Sequence, residues 1–134
     1  MCNLCDHEIG EIWNNLLPNQ IFRTPDTQKG VDFYLERIEN DQLTINPQNT
    51  SISKAAFAVT LHYLRANRHD EHNPCEIRSS NDPASAGPLC LTARGANNNI
   101  RCINYILPIL AQHHIVGINP RRPNTTWLLQ IKTA

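Results

Sequence analysis

Phe57, Leu61 and Leu64 fall at i, i+4 and i+7, with Ala56, Thr60 and Tyr63 beside them. A strand does not repeat on that interval. A helix does, because 3.6 residues per turn bring those positions onto one stripe. The spacing predicts a helix over 53–67, capped by Ser51 or Ser53. Its apolar stripe must then be buried against the elements that the rest of the chain supplies.

Those elements are short and well punctuated. Ile9, Ile12, Trp13, Leu16 and Leu17 predict an amphipathic helix over 9–17, ended by Pro18. The stretch 18–30 reads as loop, with a short strand at Ile21-Phe22-Arg23. Alternating apolar residues on either side of Asn40-Asp41 predict a hairpin of 31–39 with 42–46. A helix through 28–40 is the alternative there. Residues 47–51 form a connector, 67–74 a polar exit, and Cys75-Glu76-Ile77-Arg78 a short strand. Asp82 and Pro83 open a helix over 82–94, interrupted by Gly87-Pro88 and closed by Gly95. Ile100, Ile103, Leu107 and Leu110 predict a further helix over 98–113, kinked at Pro108. Two β-prone runs around a turn rich in Pro, Asn and Arg predict a terminal hairpin over 115–132. The fold class is α+β. An N-terminal helix and β-hairpin extension over 1–50 joins a module over 51–134 in one compact unit.

The 134 residues suit one domain, and the formal net charge is zero, 12 basic residues against 12 acidic. The balance conceals a segregation. Every Asp and Glu lies at or before Asp82. The 52 residues from Pro83 onward carry Arg94, Arg101, Arg121, Arg122 and Lys132 and no carboxylate. A surface with that character suits a polyanion, since each phosphate it neutralises releases counterions. The competing reading is an internally balanced fold in which these arginines face the acidic front half. The expectation is one continuous cationic surface built by the acid-free stretch.

In order, the second half reads helix 53–67, strand 75–78, helix 82–94, helix 98–113, hairpin 115–132. That order resembles the winged helix-turn-helix fold over about residues 53–132. The resemblance implies that helix 98–113 is a recognition helix entering the major groove of duplex DNA and that 119–124 is the wing. On a helical wheel Ile100, Ile103, Ile106, Leu107 and Leu110 share one face, and Asn98, Arg101, Tyr105, Pro108 and Gln112 share the other. Arg101 and Asn98 suit base edges. Asn97 and Asn99 offer amides to phosphate, with Arg94 and Tyr105 beside them. Arg121, Arg122 and Asn124 form a stiffened wing tip for a phosphate or minor-groove contact. The implied protein is a DNA-binding regulator of transcription, or the recognition part of a larger parent enzyme such as a restriction system, working as a dimer where one copy binds weakly.

Other functions were weighed on the same residues. A protein-interaction or dimerisation module would use the apolar stripe of helix 9–17 with Trp13 exposed. Cys2 and Cys5, with His72 and Cys75, would make a tetrahedral zinc site, although the interval is unlike a zinc finger. A metal-dependent hydrolase would draw on His69, His72 and Cys75. No nucleophile triad, nuclease carboxylate-lysine set or Gly-rich phosphate loop is present, so no catalytic residue is assigned. No apolar run approaches the ~18 residues of a membrane span. The N-terminus lacks the basic and apolar regions of a secretory signal. Five cysteines, an odd number, then point to reduced thiols and a cytoplasmic setting.

Overall fold

The structure is a computed structural model that describes residues 3–129. Its elements run α1 (Asn3–Asn15), β1 (Ile21–Arg23), β2 (Asp32–Ile38), β3 (Gln42–Asn46), β4 (Thr50–Ser53), α2 (Lys54–Ala66), β5 (Cys75–Glu76), α3 (Pro88–Gly95), α4 (Ile103–Gln112), β6 (Val116–Asn119) and β7 (Thr125–Leu128). The fold is α+β, an N-terminal helix followed by two antiparallel sheets.

The first sheet has the order β1-β2-β3-β4. Its centre is the expected hairpin, with Leu35 opposite Ile45 and Ile38 opposite Leu43. Alternation sends Phe33, Leu35, Leu43, Ile45 and Ile52 into the core. The segment 47–51 is more than a connector. Pro47, Gln48 and Asn49 turn the chain, Asn49 taking the left-handed φ of 52°, and Thr50–Ser53 pairs with Gln42–Ile45 as β4. Ile52 is the one apolar residue of that strand, so alternation had little to act on.

Ser53 caps α2 as expected, its Oγ accepting from Ala56 N at 3.0 Å. Phe57, Leu61 and Leu64 are fully buried. Helix α1 packs on α2 and begins six residues before the predicted helix, because Cys5 continues the Ile9 stripe one turn earlier and is buried with it. Trp13 is not an exposed docking residue. It meets Phe57 edge-on at 5.1 Å, donates its Nε1–H to Glu39 O at 2.7 Å and lies under Lys54. A half-buried ion pair, Arg65 to Glu8 at 2.8 Å, ties the two helices together.

The second sheet has the order β5-β7-β6. Pro120 to Asn124 join β6 to β7, with Asn124 Nδ2 donating to Pro120 O at 2.7 Å. The hairpin prediction extended to residue 132, and its last residues lie outside the described ones.

Two helix expectations are corrected. Residues 82–86 make a single turn capped by Asp82, whose Oδ1 accepts from Ala84 N at 3.0 Å. The helix proper starts afresh at Pro88, with Gly87 extended at its N-cap and the proline in the first turn, where its missing N–H leaves no helical bond unmade. The helix predicted over 98–113 starts at Ile103. Asn98 and Asn99 both adopt left-handed φ, 54° and 60°, which asparagine accepts and a right-handed helix does not. Ile100, placed on the apolar face of the wheel, is therefore in the turn and half exposed. One hydrophobic core runs through both halves, from Cys5 and Phe33 to Leu110 and Leu128.

Candidate nucleic-acid interface

Helix α4 carries Ile103, Tyr105, Ile106, Leu107, Pro108, Ile109 and Leu110, and all seven are buried. The inner face packs on the second half as expected. The outer face is covered by the N-terminal sheet, where Phe33 lies against Tyr105 at 5.2 Å and stacks on Phe22. Tyr105 and Pro108 of the face assigned to a major groove are thus interior, whereas Gln112, at the end of α4, is exposed. A helix apolar all round is buried all round, and the sequence of α4 has that character.

The N-terminal end of α4 is accessible as well. It opens into a cleft of about 850 Å³. It is lined by residues of the loop 24–31, of the segment 77–82, by Arg101, Asn104 and Tyr105, and by Arg122, Pro123 and Asn124 of the β6–β7 loop, the expected wing. Each segment has a local cause. The 24–31 loop closes through Thr24 N to Val31 O at 2.9 Å and Val31 N to Thr24 Oγ1 at 2.8 Å. Gly30 permits the turn, since a Cβ there would sit 2.6 Å from Asp26 O. The 77–82 segment is held by Arg94. That side chain is 3 % exposed and donates to the carbonyls of Ser80 and Asn81. Arg94 is therefore a brace, not a surface contact. The wing is fastened to the loop by Thr27 N to Pro120 O at 3.0 Å and by Arg122, which donates to Asp26 Oδ2 through Nε at 3.1 Å and Nη2 at 2.8 Å.

The expected continuous cationic surface is thus broken. Arg94 is inside, Arg122 is paired with a carboxylate of the front half, and Lys132 lies outside the described residues. Of the expected cations Arg101 lines the cleft, where Lys29 and Arg78 of the front half join it; none of the three is in an ion pair among the described residues. The carboxylates on the cleft are already engaged. Asp82 caps its own turn. Asp26 receives Arg122 and the Gln28 N–H, which hold its carboxyl below the ordinary 3.8. Sequence reasoning missed Arg78 and Lys29 because both sit in the net-acidic half. Only their neighbours in space make them part of a positive site.

The remaining candidates are dispersed. Asn97 is 4 % exposed; its Oδ1 accepts from Ser53 N at 2.8 Å, and its Nδ2 donates to Ser51 O and Ile100 O. It fastens the turn between α3 and α4 to β4. Asn98 and Asn99 are exposed in that turn, outside the cleft. Arg121 is exposed at the wing.

The metal readings find no assembled site. Among the described residues no three His, Cys, Asp or Glu side chains gather as a metal would need. His69 Nδ1 is spent on Asn73 O at 2.8 Å, His72 projects into solvent, and Cys75 is buried. Cys5 is disulfide-bonded, contrary to the expectation of reduced thiols, while Cys75, Cys90 and Cys102 are free. Cys2 lies outside the described residues. Among the described residues no helix is long and apolar enough to cross a membrane. No family model, no curated protein and no solved structure matches the chain.

Proposed function

We propose that the chain is a winged-helix DNA-binding module that grips the phosphate backbone with the start of α4 and the wing. The element order supports this reading: α2, β5, α3, α4, β6, β7, with β7 between β5 and β6, is the order of the fold that the sequence resembles. The observation that carries it is the meeting of Arg101, two residues before α4, with Arg122 and Asn124 of the wing around one cleft. Recognition helix and wing would then address one ligand. Because the N-terminal sheet covers the outer face of α4, the contacts are to backbone and shape rather than to bases deep in the major groove. Few cations take part, so one copy binds weakly and with strong salt sensitivity.

A salt series of affinity for a blunt duplex tests this. Three phosphate contacts give a slope of log affinity on log salt of about −3. Arg121→Ala should weaken binding to every sequence and lower the slope by about 1, and Arg101→Ala should do at least as much. Salt-independent binding, or variants indistinguishable from the parent on every duplex, would refute the reading.

A further inference from the structure

The cleft has features that a duplex backbone lying across its rim does not use. Arg78 and Lys29 both line it, and neither is in an ion pair among the described residues. Val31, 48 % exposed, offers an apolar surface there, and Pro25 and Pro123 add two more flat ones. Ser79 Oγ and Asn104 Oδ1 belong to residues that line the cleft, are hidden from water, and have no hydrogen-bond partner among the described residues. Buried polar atoms are rarely left so.

Size selects the ligand. At about 850 Å³ the cleft lies within the range that encloses a small organic molecule. A duplex, whose major groove alone is ~12 Å wide, cannot enter it. One nucleotide can. Its phosphate needs cations, its base needs a flat apolar face, and its base edge needs polar partners.

From this we infer that the cleft is a binding site for one unpaired nucleotide of DNA, its phosphate held by Arg78 and its base resting against Val31 and the prolines. The inference rests on the DNA-binding reading and deepens it: the module prefers DNA carrying an unpaired nucleotide. The backbone favours Arg78 for this role. Its φ of 42° is left-handed, and Gly87 lies beneath its side chain, where a Cβ would come within 2.8 Å of Arg78 Cβ. That close seat leaves the aliphatic part of Arg78 packed over Gly87.

The test measures affinity, by fluorescence anisotropy at low salt, for a blunt duplex, the same duplex with a short single-stranded extension, and the same duplex with one internal unpaired nucleotide. Thymidine 5′-monophosphate and thymidine serve as competitors. The expected result is binding about tenfold tighter to the extended or bulged duplex than to the blunt one, with displacement by the monophosphate and not by the nucleoside. Preference for the extension alone assigns a strand end. Preference for both assigns any unpaired nucleotide. Arg78→Ala should bring the preference ratio to about 1, and a melting curve confirms that the variant is folded. Equal affinity for all three duplexes overturns the inference and leaves the DNA-binding reading standing. Monophosphate binding that Arg78→Ala abolishes, with no duplex bound, overturns that reading and retains a nucleotide site. Binding of none of the probes overturns both.

Discussion

Replacing Asn97 with alanine separates structure from recognition at the turn before α4. Three hydrogen bonds are lost, to Ser53 N at 2.8 Å, Ser51 O at 3.2 Å and Ile100 O at 3.3 Å. A typical net contribution is about 1 kcal/mol each, and the Ser53 N–H is left in a half-buried setting without its acceptor. The loss should be about 3 kcal/mol. For a chain of this size each kcal/mol moves the melting temperature by about 3–4 °C, so thermal unfolding should begin about 10 °C earlier. Asn97→Asp keeps the acceptor for Ser53 but sets a carboxylate against two carbonyls, so its loss should be no smaller. Both variants should bind DNA within about twofold of the parent when measured well below their midpoints, since the side chain does not reach the surface. Differential scanning calorimetry with anisotropy titrations decides the matter. A melting shift under about 3 °C combined with a clear loss of affinity would show that Asn97 is a ligand contact and not a clasp.

Further outcomes follow from other contacts. Asp26→Asn removes the carboxylate that occupies Arg122 and should tighten DNA binding. Because Arg122 holds the Asp26 carboxyl below 3.8, the stability this pair contributes is present above that pH and is lost as pH falls through the lowered value. The difference in melting temperature between parent and variant should therefore vanish in acid. Gly117→Ala would set a Cβ 2.6 Å from Trp127 Cε2 and should cost about 1–3 kcal/mol, with altered tryptophan fluorescence as the local sign. Burial pushes the Cys102 thiol up to about 12 and Cys75 up to about 11 from an ordinary 9.0. The unfolded chain ionises these thiols first, so stability should fall as pH rises from 9 towards 12. Cys102→Ala should flatten that decline, and alkylation at pH 8 should label neither thiol until denaturant is added.

Local pattern located most of the elements. The 53–67 stripe, the hairpin about Asn40-Asp41 and the Gly87-Pro88 break each rest on contacts within a few residues, and each reappears within a residue or two. The Ser53 cap was legible for the same reason. The errors lie where a local signal was weak. Thr50–Ser53 has one apolar residue to mark its strand, and Asn98-Asn99 look like a helix cap until their left-handed backbone is known. The site was read less well. Arg101, Arg122 and Asn124 do meet at one cleft, but Arg94 and Asn97 turned inward.

Composition and periodicity alone determined the α+β class, the order of the elements other than β4, and the gathering of the carboxylates before Pro83. Only the tertiary structure decided which cations face a ligand. A wheel ranks the faces of α4 against each other. It does not state that the N-terminal sheet, carrying Phe22 and Phe33, will cover the outer one. Nor does spacing along the chain bring Arg78 to the same cleft as Lys29, or pull Arg122 onto Asp26. Those pairings join residues 49 and 96 positions apart, and they exist because burying one shared core fixes where the two halves meet.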